Sequence, residues 1–189
     1  MIALADKVVA LHDALAAAGI PHAFGGAFAL AYCTGDPRGT VDIDVNVFMP
    51  ASAPESVLRS LPDGVRWDKA DITRIQRDGQ IRLRWETTPI DLFFNNHPFH
   101  DEAADRVRVV PFESAQIPIL DCADLAVFKA YFARSKDWVD IEAMATAGTL
   151  GDARDRLVAL LGEDGDAVRR FDDASRPERQ RSPKRFPQS

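Results

Sequence analysis

Val41-Asp42-Ile43-Asp44-Val45-Asn46-Val47 alternates apolar and polar residues without a break, the period of a β-strand with one face in a core. Positions i and i+2 of a strand share a face. Asp42 and Asp44 therefore converge, while Val41, Ile43 and Val45 are expected to face the interior. Two adjacent carboxylates repel unless positive charge lies between them, and Mg²⁺ typically takes one or two carboxylates plus phosphate oxygens. Alone, the pair reads more simply as the solvated acidic end of a strand. Its neighbours along the chain decide between the two readings.

Upstream, Pro21-His22-Ala23-Phe24 reads as a short strand that runs into Gly25-Gly26, and a small-residue helix follows from Ala27 to about Tyr32. Without side chains, the two glycines let the backbone approach a phosphate, and the helix start offers free N–H groups to it. A plain tight turn would look the same. Position favours the cradle, because the helix and the loop Thr34–Thr40 return the chain to the Asp pair at one sheet edge. Downstream, Pro89-Ile90-Asp91-Leu92-Phe93-Phe94 places a single carboxylate in an apolar run. Buried without a partner it would cost several kcal/mol, so it belongs at an exposed strand end or against a cation. Asp42, Asp44 and Asp91 together suit a two-metal site for phosphoryl chemistry, with Asp91 as the base for an acceptor hydroxyl.

Around these segments, residues 3–18 carry Leu4, Val8, Leu11 and Leu15 as the stripe of an amphipathic helix ending at Gly19. Pro54–Leu61 reads as a short helix. Residues 72–77 and 80–85 read as a hairpin about Asp78-Gly79. Ile90–Phe94 and Val107–Val110 read as further strands. From residue 121 the pattern turns helical, with spans expected at 122–134, 136–147, 152–161 and 164–173, punctuated by Gly148, Gly151, Gly162 and Gly165. The expected organisation is an α/β (α+β) core over 1–120, a mixed sheet flanked by helices. A C-terminal helical annex over 121–173 closes the active-site cleft, and a basic, flexible tail covers 174–189.

The 189 residues are 46% hydrophobic, enough for a packed interior. No apolar run is long enough to span a membrane. Met1–Lys7 lacks the basic and apolar regions of a secretory signal, so the expected location is cytoplasmic. Cys33 and Cys122 have no metal-ligand spacing and are expected to be reduced, buried thiols. The net charge of −6 conceals a tail with Arg176, Arg179, Arg181, Lys184 and Arg185 against Glu178. The body is correspondingly more acidic and unlike a general nucleic-acid binder, although the tail could grip RNA. His97 and His100 invite a zinc reading, but Asn95, Asn96 and Pro98 mark a surface turn with no further Cys or His nearby. Arg82 and Arg84 share a strand face, which suits either phosphate contact or a solvated hairpin. Trp85 and Trp138 are expected in or near the core.

Gly25-Gly26-Ala27-Phe28-Ala29-Leu30, Asp42-Ile43-Asp44-Val45 and the separate strand residue Asp91 resemble the signature of polymerase-β-like nucleotidyltransferases. Arg38-Gly39-Thr40, with Phe128-Lys129 and the run Arg134-Ser135-Lys136-Asp137-Trp138-Val139-Asp140, is similar to the AbiE-type abortive-infection members, toxins of toxin–antitoxin systems. The resemblance covers roughly residues 20–145. It implies Mg²⁺ or Mn²⁺ on Asp42, Asp44 and Asp91, with an NTP such as ATP held at Gly25, Gly26, Arg38, Thr40 and Lys129. It further implies transfer of a nucleoside monophosphate to a hydroxyl of tRNA or other RNA, a protein or a small molecule, and an antitoxin partner. The alternative is a non-catalytic nucleotide- or partner-binding member of the fold, which would be expected to lack one of the three carboxylates. Antibiotic-modifying relatives often carry an acid shortly after Gly-Gly and a His before Asp-x-Asp. Here Leu30 and Val41 stand in those places, which weighs against aminoglycoside or lincosamide acceptors.

Overall fold

The computed structural model describes residues 2–176; the expected basic tail lies outside them from residue 177 onward. The chain divides into two compact units. The first comprises residues up to Tyr32 and Asp36–Asp121, and the second Cys33–Gly35 with the chain from Cys122.

In the first unit, α1 (Leu4–Ala17) buries Val8, Leu11 and Leu15 as its stripe requires. It also buries Lys7, whose Nζ donates to Trp85 O (3.0 Å) and Thr88 Oγ1 (2.9 Å) and pairs with Glu86. Then come β1 (His22–Phe24), α2 (Gly26–Thr34), β2 (Ile43–Pro50), α3 (Glu55–Ser60), β3 (Val65–Arg66), α4 (Lys69–Asp78), β4 (Gln80–Trp85), β5 (Thr88–Asn95), α5 (Pro98–Ala104), β6 (Arg108–Phe112) and β7 (Ala115–Ile119). The strands form one mixed sheet in the order β3-β4-β5-β2-β1-β7-β6. β2 lies centrally, parallel to β5 and antiparallel to β1, and Ile43, Val45, Val47, Ile90, Leu92 and Phe94 are fully buried.

Three expectations for this unit are corrected. Residues 69–78 are helix, not the first arm of a hairpin. Asp68 accepts from Ala70 N and Asp71 N while Asp71 accepts from Asp68 N, closing a capping box. Gly79 then ends the helix in the left-handed region at φ 68°. A left-handed glycine suits a helix C-cap as well as a hairpin turn, so Asp78-Gly79 alone does not distinguish them. The actual hairpin partner of β4 is β5, turning at Glu86-Thr87. Secondly, the segment after His97 is the short helix α5, with Pro98 in its first turn, Phe99 buried, and the His97 ring accepting from Phe99 N (3.1 Å). Finally, Val41 is 77% exposed, so the core-facing alternation begins only at Ile43. The strand at Val107–Val110 has a partner, β7, that Pro118 obscures in the sequence.

The second unit contains α6 (Cys122–Phe132), α7 (Ser135–Ala147), α8 (Ala153–Leu161) and α9 (Asp166–Ser175), close to the four expected spans. α6 packs on the other three, and its buried Asp124 is paired by Arg156 at 2.7 Å. The Arg170 guanidinium stacks 4.5 Å from the centre of the Trp138 ring.

Cys33 and Cys122 form a disulfide across a sequence separation of 89, which corrects the expectation of reduced thiols. Linear distance says nothing about proximity once the chain returns, and the fold brings the end of α2 to the first residue of α6. Bridging so long a loop restricts the unfolded chain. Cys33→Ser, or reductant, is therefore expected to cost about 2–4 kcal/mol, on the order of 10 °C in melting temperature. Calorimetry with and without reductant checks this; unchanged melting would mean that the bridge does not form in solution.

Candidate active site

The site is built from the sheet's register. Ile43 and Val45 point into the core, so Asp42, immediately before β2, and Asp44 project from the opposite face. β2 and β5 run parallel with Asp44 opposite Asp91, and β4 runs antiparallel with Arg82 opposite Asp91. Asp44, Asp91 and Arg82 therefore form one row across three strands, about 4.8 Å apart in the pairing direction. The three carboxylates found in the sequence come together.

Arg82 completes the group. Its Nε and Nη2 donate to the two oxygens of Asp91 at 2.7 and 2.6 Å, and the same Nη2 lies 3.9 Å from Asp42 Oδ2. Asp42 and Asp91 are thus within reach of a single guanidinium nitrogen. Hydrogen bonding to Asp91 comes first among the causes that raise the Arg82 pKa, followed by the charges of Asp91, Asp42 and Asp44. Of the two readings of the Arg82/Arg84 face, Arg82 belongs to the site. Arg84 lies opposite Arg66 and is exposed. The role of Arg82 depended on pairing β4 with β5, which the misread turn at Gly79 concealed.

On the other side of Asp44, Gly25 N donates to Asp44 O (2.9 Å), and Gly26, at φ 49°, starts α2. A Cβ on Gly26 would overlap the Asp44 carboxylate, and one on Gly25 would come within 2.9 Å of Asn46 Nδ2. The Gly-Gly pair is therefore needed here to seat the start of a helix directly against an acidic side chain. Thr40 holds Asp42 from the preceding loop, its Oγ1 donating to Asp42 Oδ1 at 2.6 Å. Thr40 and Arg38 also line a cavity of about 360 Å³ beside α2, walled by Ala27, Phe28, Tyr32 and Phe112.

Lys129 lies in the second unit, on α6. It is buried there, with its Nζ 2.7 Å from Asp140 and 3.6 Å from Asp137. Asp137, fully buried, also closes the start of α7 through Arg134 N and Nε. The expected helix-start charges on α7 are thus the anionic side of a buried ion cluster.

Among the described residues, no group of three His, Cys, Asp or Glu side chains is arranged to close on a metal ion. Both oxygens of Asp91 are instead taken by the Arg82 fork. The donor chemistry nonetheless suits a hard cation. Three carboxylates converge, one beside a helix start with no side chain in the way, and a positive charge already lies among them.

A family model described as "Nucleotidyl transferase AbiEii toxin, Type IV TA system" matches residues 9–188. The chain belongs to this AbiEii family. Its members are nucleotidyltransferases, described as toxins of a type IV toxin–antitoxin system, and this bears out the AbiE-type resemblance. No curated protein matches the chain. Among solved structures, the antibiotic-resistance factor ANT(2'')-Ia is 12% identical with a TM-score of 0.53, covering 82% of this chain and 90% of that one. An antigenic nucleotidyltransferase-like protein from Paracoccidioides brasiliensis is 16% identical with a TM-score of 0.50, covering 88% of this chain and 92% of that one. At these identities the likeness is one of fold, and it supports the nucleotidyltransferase core expected from the sequence. No helix of the described residues is long and apolar enough to cross a membrane.

Proposed function

We propose that this AbiEii-family chain transfers a nucleoside monophosphate from a nucleoside triphosphate to an acceptor hydroxyl in the cytoplasm, with Asp42, Asp44 and Asp91 as the metal-binding carboxylates. The observation that carries this reading is the row Asp44–Asp91–Arg82 with Asp42 alongside. Mg²⁺ or Mn²⁺ bound there would neutralise the triphosphate and lower the pKa of the acceptor hydroxyl. The start of α2 at Gly25-Gly26 offers backbone N–H groups to phosphate oxygens. Arg38 and Thr40 border the cavity in which the organic part of the nucleotide is held. The acceptor oxygen attacks the α-phosphorus, the bond to the bridging oxygen breaks, and pyrophosphate leaves. Asp91 takes the acceptor proton.

The acceptor is a hydroxyl of tRNA or other RNA, of a protein or of a small molecule. Family membership supports an antitoxin that restrains the activity. Calorimetric titration with each triphosphate and Mg²⁺ tests the site. Wild type is expected to bind one triphosphate preferentially and only with Mg²⁺, and Asp42→Ala/Asp44→Ala is expected to lose that binding. Absence of any Mg²⁺-dependent binding by wild type would favour a non-catalytic member of the fold instead.

A further inference from the structure

We propose that Arg82 is the resident counter-ion of the carboxylate trio, a positioning residue that holds Asp91 in place of a divalent cation and gives it up when the cation binds. The inference rests on the metal reading above and goes beyond it by assigning a competitor within the chain itself. Three carboxylates gathered on one sheet face repel one another, and proteins relieve such repulsion by taking up a proton, a cation or a basic side chain. Arg82 is placed to do the last. Its fork takes both oxygens of Asp91, and its Nη2 also faces Asp42. A bidentate guanidinium uses the carboxylate lone pairs that a cation would need, so Asp91 cannot serve both partners fully at once.

The geometry also allows release. The Arg82 side chain is 59% exposed, whereas that of Asp91 is 14% exposed. The carboxylate is thus fixed by the sheet while the guanidinium ends a long stem with solvent on one side, able to rotate away without unpacking β4. The exchange leaves the trio with a positive counter-charge in both states, one unit from Arg82 or two from the cation. It also withholds Asp91, the proposed base, until a cation has arrived.

Competition of this kind is reciprocal. If cation binding displaces Arg82, removing Arg82 must tighten cation binding. The test titrates Mn²⁺ alone into the full chain, followed by the loss of free Mn²⁺ signal in electron paramagnetic resonance. Arg82→Gln is expected to bind Mn²⁺ at least about fivefold more tightly than wild type, the lower end of coupling between linked sites. Arg82→Lys, which keeps the charge but loses the fork, is expected to fall between them, and it serves as the reporter if Arg82→Gln does not fold. Asp42→Asn/Asp44→Asn, run in parallel, separates the two levels of the argument. Wild-type binding that depends on Asp42 and Asp44 but is unchanged or weakened in both Arg82 variants would overturn the counter-ion role while leaving the metal site intact. No binding sensitive to Asp42 and Asp44 in wild type or either Arg82 variant would sink the metal reading and this inference together. Binding seen only once Arg82 is removed would be its strongest support.

Discussion

Asp91→Asn is expected to retain Mg²⁺-dependent triphosphate binding within a few-fold of wild type and to lose nucleotidyl transfer by about 10²–10⁴-fold, the usual contribution of a positioned general base. The division follows from the row. Asp44 lies against Gly26 at the start of α2, where the triphosphate is proposed to be held, and Asp42 is held beside it by Thr40. Asp91 lies one strand away, on β5. An amide at position 91 keeps the size of the side chain and still accepts one hydrogen bond from Arg82, but it is a poor metal ligand and no base. The measurement follows label from the α-phosphate of the preferred triphosphate into RNA and protein pools, beside calorimetric binding of the same triphosphate. Loss of binding and transfer together would place Asp91 with the triphosphate. Full activity would remove it from the chemistry and leave it as a partner of Arg82 alone.

The carboxylates were legible in the sequence because strand alternation is a local signal. Asp42 and Asp44 share a face whatever the rest of the fold does, and a charge within Ile90–Phe94 needs a reason to be there. Gly25-Gly26 was legible as a cradle only by position. The structure supplies a stronger reason, since any side chain at Gly26 would displace Asp44. Arg82 was visible as one of two arginines on a strand face, but its partner depended on which segment pairs with β4. A left-handed glycine serves hairpins and helix caps alike, so this could not be decided from Asp78-Gly79. The capping box from Asp68 to Asp71 was the better signal there, because its reciprocal hydrogen bonds belong to a helix start and have no role in a hairpin.

Long-range pairings were the least accessible. The Cys33–Cys122 bridge and the contact of Lys7 with Trp85 and Thr88 join residues separated by 89, 78 and 81 positions. No periodicity encodes them. A lysine within the apolar stripe of α1 reads as a solvated neighbour, and only the β4–β5 turn, with its carbonyl, hydroxyl and carboxylate, makes burial affordable. The helical unit was easier to outline, because glycines punctuate it. Its internal charges were not, since Asp137 and Asp140 at a helix start read equally well as surface residues that complement the dipole.

Those charges make Lys129→Met the substitution with the largest expected effect on stability, a loss of about 3–5 kcal/mol. Methionine preserves the length and packing of the stem and removes only the ammonium. Asp140, 7% exposed, would then lose a partner now at 2.7 Å. Asp137, fully buried, would keep Arg134 but lose the second cation at 3.6 Å. A buried carboxylate that loses a counter-ion bears more of its desolvation cost, which is why breaking a buried pair costs more than the pair is worth. Lys129→Met/Asp140→Leu, which removes both partners, is therefore expected to recover a substantial part of the loss. Urea unfolding followed by circular dichroism at 222 nm, on the two single variants and the double, measures the coupling. The same proteins test the phosphate-binding role that family resemblance implies for Lys129. If Lys129→Met unfolds at the wild-type urea concentration but no longer binds triphosphate, its ammonium acts on the nucleotide. If stability falls and the double variant restores both stability and binding, Lys129 is the internal counter-ion of α7, and the triphosphate is held without it.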